Sequence, residues 1–169
     1  MTGVTDAEVG EIDLAVVAYR QAGAGRGPGE WSLAELPDRS LDTVETIARE
    51  LRRYPGTDGA LALISVAEDF LLLVRTRDEE VRVLLSDATA ATDWTLARSA
   101  VDHIGVHVDD EDDQVPAGDL GIVADMGLSA RDMGELLDDA DLYPEEILGE
   151  VADSVGFGSA FAELAGLDE

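Results

Sequence analysis

Between Ile12 and Leu85 the apolar positions fall into short runs separated by polar turns, the pattern of a sheet rather than of a helical bundle. Ile12–Tyr19, Trp31–Leu36, Ala60–Val66, Phe70–Thr76 and Val81–Leu85 read as five strands. Phe70-Leu71-Leu72-Leu73-Val74 is apolar at consecutive positions, which predicts a central strand covered on both faces. Between the second and third strands the period changes. Leu41, Val44, Ile47, Ala48 and Leu51 recur at helical spacing, with Ser40 as the expected cap and Pro55-Gly56 as the stop. A second helix is expected from about Thr92 to Ile104. The order β-β-α-β-β-β-α predicts an α+β domain, a five-stranded antiparallel sheet with two helices packed on it.

Past residue 117 the pattern turns helical. Asp119–Met126 fits one or two turns, and Ser129 is placed to cap a helix carrying Met133, Leu136, Leu137 and Ala140 on one face. Pro144 stands at a first helical position, with Glu145 and Glu146 in the favourable first turn and Ile147, Leu148, Val151 and Val155 as the apolar face. Gly156 and Gly158 precede a last short helix with Phe161 and Leu164. Helices this short are marginal alone, so either the sheet or a partner must cover them.

Charge divides the chain where the pattern does. The 169 residues hold 38 acids and 11 arginines, no lysine, and a net charge of −27. Residues 1–98 carry 18 acids against 10 arginines, whereas residues 99–169 carry 20 acids against Arg131 alone, so −19 of the charge sits in the last 71 positions. The run Asp109-Asp110-Glu111-Asp112-Asp113 repels itself and reads as a solvated linker. The expected organisation is therefore a sheet domain at 1–107, an acidic linker at 108–117 and an acidic helical segment at 118–169.

So acidic a surface disfavours phosphate backbones and anionic membranes, and direct nucleic-acid binding is not expected. Without cysteine there is no disulfide, thiolate nucleophile or Cys-ligated zinc, and without lysine no Schiff base or Walker-type phosphate contact. Met1–Glu11 is acidic and polar, unlike a signal peptide, and no apolar run approaches the ~20 residues of a membrane helix. A cytoplasmic protein is expected.

The residues that could carry chemistry read better as structure. Gly23–Gly29 follows a strand, but the third position of a dinucleotide fingerprint falls on Pro28 or Glu30, so it is a flexible loop. His103 and His107 are four apart, yet Gly105 lies between them and no HExxH pattern is present, so helix-end or solvent-facing histidines are expected rather than a metal site. From Asp109 the sixth position is Gln114 and the twelfth Leu120, which does not make an EF-hand loop. Asp138/Asp139 and Glu145/Glu146 fall on the wet face of their helices, where paired carboxylates gain no separation of roles. Of the arginines, Arg49, Arg52 and Arg53 suit a helix C-terminus and Arg75, Arg77 and Arg82 cluster at strand ends, Arg75 and Arg77 being read as charges guarding the end of a strand. Either group could anchor a phosphate, but both are expected to neutralise the protein's own acidic tail. No catalytic residue, cofactor or metal is expected.

The strand and helix order resembles profilin and roadblock-type domains, which serve largely as interaction modules. The stretches IDLAVVAYR, LDTVETIARELRRYPG, ISVAEDFLLLVR, VLLSDATAATDW, PAGDLGIVADMGLSARDM and LYPEEILGEVADSVGFG together resemble the tRNA adenosine deaminase-associated proteins of high-GC bacteria, from Ile12 to about Leu164. These are packing and capping patterns, not catalytic signatures. The deaminase itself needs H-x-E and P-C-x-x-C zinc motifs, which a cysteine-free chain cannot supply. The resemblance thus implies a non-enzymatic accessory protein with the tRNA adenosine deaminase as partner. Its acidic tail would dock on the enzyme's basic tRNA-binding surface through Asp138, Asp139, Asp141, Glu145 and Glu146, with Met133, Leu136, Ile147 and Leu148 packing beneath or anchoring. An alternative is a self-associating module, a possible homodimer, with Trp94, Phe157 and Phe161 as interface candidates. A metal- or small-molecule-binding enzyme using His103 and His107 is a distant third.

Overall fold

Leu71, Leu72, Leu73 and Val74 are all fully buried because the strand that bears them lies between two helical layers. The computed structural model describes residues 12–20, 31–54, 59–67, 69–77, 79–92, 94–105, 116–139 and 141–165. It is an α+β fold whose sheet is antiparallel throughout: β1 (Ile12–Arg20), β2 (Trp31–Glu35), β3 (Ala60–Val66), β4 (Phe70–Arg77), β5 (Glu80–Leu85) and β6 (Ala117–Gly118), in the order β2-β1-β3-β4-β5-β6.

The five expected strands are present to within a residue at either end, and the sheet gains a sixth. β6 is a two-residue strand with no alternation to reveal it. Gly118 makes it possible: its φ is +109°, and a Cβ there would collide with the Val83 carbonyl. Asp119 N–H then donates to that carbonyl at 2.9 Å. The expected linker lies outside the described residues as far as 115, as do the glycine loop at 23–29, Pro55-Gly56 and His107.

Among the described residues there are five α-helices, where two were expected on the sheet. α1 (Val44–Leu51) and α2 (Thr95–Ile104) cover one face. Val17, Ala62, Ile64, Phe70, Leu72 and Val74 point to them and meet Ile47, Leu51, Leu96 and Ala100. Ser40 does not cap α1, because it ends a 3-10 turn and donates to the Pro37 carbonyl at 2.7 Å. Thr43 is the cap: its Oγ1 accepts from Thr46 N–H at 3.2 Å, and Thr46 Oγ1 accepts from Thr43 N–H at 3.0 Å. α2 begins three residues later than expected because Ala88–Thr92 forms a 3-10 turn.

The opposite face is covered by α3 (Ala130–Leu137), α4 (Pro144–Val155) and α5 (Gly158–Ala165). The alternate residues Ala18, Leu61, Leu63, Leu71, Leu73 and Leu84 meet Ile122, Met133, Leu148, Val151, Ala152 and Phe161. The sheet therefore supplies the surface these short helices need, and each face has its own core. Ser129 and Pro144 start α3 and α4 where the sequence placed them.

One polar atom in the second core is unmatched. Ser65 is fully buried opposite Leu71, and its Oγ has no hydrogen-bond partner among the described residues. Because a buried unpaired hydroxyl carries an uncompensated desolvation cost, Ser65→Ala is expected to leave stability unchanged or raise it by up to about 1 kcal/mol. Urea denaturation checks this, and a loss above that size would show that the hydroxyl is bonded.

Candidate functional site

The last turn of α3 and the first of α4 bring together the five acids singled out by the sequence. α3 ends at Asp138, after which Asp139 Oδ1 accepts from Asp141 N–H at 2.9 Å and sets the turn. Leu142 packs against the core, and Glu146 Oε1 accepts from Tyr143 N–H at 2.9 Å, closing the start of α4. Asp138, Asp139, Asp141 and Glu146 are exposed and Glu145 is half-buried. Two of the five thus build the loop that displays the rest.

Beneath them, Met133, Ile147 and Leu148 are buried and Leu136 is half-buried against the same core, so these residues pack under the loop rather than anchor a partner. Phe157 and Phe161 are buried there too, which removes them as surface contacts; Trp94 is half-buried beside Phe70. Among the described residues the most exposed large apolar side chain is Tyr143, 59% exposed in the middle of the acids. Sequence reasoning missed it. Its signal was an aromatic just before Pro144, at the capping position rather than on the helix's apolar face.

The second constellation lies on the β4–β5 hairpin. Arg75, expected to guard a strand end, is instead 2% exposed and turned into the second core. Its guanidinium donates to the Ile122 carbonyl at 2.8 Å and, as a fork, to Asp125 Oδ1 at 2.6 Å and Oδ2 at 3.0 Å. Arg77 lies 3.5 Å from Asp125, and Arg82 lies 3.7 Å from Asp119 and 3.5 Å from Glu80. The hydrogen bonds from Arg75, helped by the charges of Arg75 and Arg77, hold the Asp125 carboxyl below its ordinary 3.8. The strand arginines thus meet acids of the tail as expected, whereas in the helix group Arg53 lies near Glu50 of α1 and no described tail acid lies within ion-pair distance of Arg49 or Arg52.

His103 Nε2 is 3.2 Å from the Val81 carbonyl and its Nδ1 is 4.0 Å from Glu45. Among the described residues no three His, Asp or Glu side chains gather as a metal site, and no helix is long and apolar enough to cross a membrane.

Between residues 116 and 165 there are twelve acids and one arginine, Arg131, which lies 3.5 Å from Glu135. The α1 and α2 layer instead exposes Arg39, Arg49, Arg52, Arg53 and Arg98. The arrangement suits recognition of a basic surface by the tail layer.

Comparison with known proteins gives two similarities. A family model described as Rv3753c-like tRNA adenosine deaminase-associated protein matches residues 13–158. Protein Rv3753c of Mycobacterium tuberculosis (strain ATCC 25618 / H37Rv) is 35% identical over 143 residues, which covers 82% of this chain and 83% of the relative. No solved structure matches the chain.

Proposed function

This chain belongs to the Rv3753c-like tRNA adenosine deaminase-associated protein family, and from that membership we propose that it is a non-enzymatic, cytoplasmic accessory protein of the deaminase. In this reading the acidic helical layer docks on the enzyme's basic tRNA-binding surface. The observation that carries it is the α3–α4 loop, where Asp138, Asp139, Asp141 and Glu146 surround an exposed Tyr143 on a layer with a single arginine. Carboxylates at the rim steer and orient a basic partner, and a tyrosine among them supplies contact area and stacks on arginine.

The test is capture of the same genome's tRNA adenosine deaminase by this protein at low and high salt, with tRNA as competitor. Binding is expected at low salt, lost at high salt and displaced by tRNA, because both ligands use one basic surface. The variant D138N/D139N/D141N/E145Q/E146Q keeps the loop's hydrogen-bond acceptors and is expected to bind about tenfold more weakly, the sum of several rim charges worth a few tenths of a kcal/mol each. No capture at either salt would sink the proposal and leave the family name as a record of gene neighbourhood.

A further inference from the structure

A second surface complements the acidic loop. α1, β5 and α2 border an open cleft of about 350 Å³. Val44, Ala48 and Val81 provide apolar lining; Arg49, Arg52 and His103 provide the polar part, together with Glu45, which faces His103. Arg49 and Arg52 are exposed, and among the described residues neither has a carboxylate within ion-pair distance, whereas Arg39 and Arg53 both lie near Glu50.

We infer that this cleft receives the α3–α4 loop of a second copy of the chain. The loop offers an exposed aromatic ring set among carboxylates, and the cleft offers apolar lining beside two guanidinium groups that have no carboxylate partner among the described residues. A bare phosphate backbone would match the arginines but leave the apolar lining unused. A copy cannot fill its own cleft: the loop belongs to the layer on the other side of the sheet, two layer spacings of about 10 Å away. The contact is therefore head to tail, so it repeats from copy to copy instead of closing as a two-fold pair. A single loop in a cleft is a small interface, and the complex is weak and reversible. The net charge of −27 opposes it at low salt. At about 0.15 M salt the screening length is about 8 Å, which damps whole-molecule repulsion more than contacts of a few ångströms. This inference goes beyond the deaminase reading and does not rest on it.

Sedimentation equilibrium at about 0.15 M salt, over protein concentrations up to the millimolar range, tests it. The weight-average mass is expected to rise above 17.9 kDa with concentration. Y143A and R49E/R52E should each weaken association by about tenfold or more, the first through the knob and the second through the hole. Mixing the two variants should restore a complex that stops at a pair, since one keeps an intact loop and the other an intact cleft. A mass fixed at the monomer value overturns the inference. So does association that either variant leaves unchanged, or no recovery on mixing. Binding of a single-stranded RNA oligonucleotide by a monomer, lost in R49E/R52E, would instead assign the cleft to phosphate. Arg49 and Arg52 lie outside the acidic loop, so either result leaves deaminase capture to be judged on its own.

Discussion

Replacing Asp125 with alanine will lower the unfolding free energy by about 2–3 kcal/mol, because it removes the carboxylate that compensates the buried charge of Arg75 in the second core. Breaking a fully buried ion pair from one side costs about 3–5 kcal/mol. The lower figure applies here because the Asp125 side chain is 41% exposed, so water can occupy part of its place, and the Ile122 carbonyl still accepts from Arg75. In a chain of this length the melting temperature should fall by about 4–12 °C. Asp125→Asn, which keeps one acceptor oxygen but loses the charge, should cost roughly half as much. The pH dependence follows from the depressed carboxyl. A group with a folded pKa below its ordinary 3.8 adds stability that is complete above that value and disappears as pH falls through the folded pKa. Wild type and Asp125→Asn should therefore differ at neutral pH and converge in strong acid. A calorimetric difference under about 0.5 kcal/mol for Asp125→Ala at neutral pH would show that water satisfies Arg75 as well as Asp125 does.

Phe161→Ala should cost more, about 3–5 kcal/mol, since the ring is fully buried between the tail helices and the sheet. How the loss is distributed decides whether the segments divided by sequence at 108–117 behave as separate units. The leucines Leu61, Leu63, Leu71 and Leu73 belong to the same strands as Ala62, Ile64, Leu72 and Val74, so loosening one face should destabilise both cores together. The two tryptophans report on this separately. Trp31 packs on Phe157 at 4.8 Å in the tail core, while Trp94 packs on Phe70 at 5.8 Å in the other. With Trp31→Phe or Trp94→Phe as background, Phe161→Ala should shift both fluorescence transitions to the same lower denaturant midpoint. A Trp94 signal that keeps its wild-type midpoint would instead establish the sheet domain as an independent unit.

What the sequence disclosed, and what it hid, follows from the range of the interactions. Ala60–Val66 and Phe70–Thr76 were legible because strands buried on both faces must be continuously apolar. Ser129 and Pro144 were legible because capping is decided within four residues. Ser40 misled because Thr43, three residues on, offers the same chemistry with a reciprocal partner in Thr46. Arg75 was misplaced because an arginine near a strand end is ordinarily solvated, and its partner lies 50 residues away. β6 depends on one glycine meeting one carbonyl, which leaves no period to read. At the acidic loop the charges were visible in the sequence. Tyr143 was not, since its exposure depends on which residue of Leu142-Tyr143 the turn directs inward.

Burial of Arg75 also bears on how the chain survives its own synthesis. By the time α2 has left the ribosome, the sheet can form with Ala18, Leu61, Leu63, Leu71, Leu73 and Leu84 bare on its unfinished side. At about 5–20 residues per second, the helices that cover them arrive roughly 3–12 s later. Through that interval Arg75 lacks its Asp125 contact, and with Arg77 and Arg82 it keeps charge at one end of an otherwise apolar strand face, which discourages two nascent sheets from stacking. Once Asp125 emerges, the same guanidinium becomes a latch for the tail.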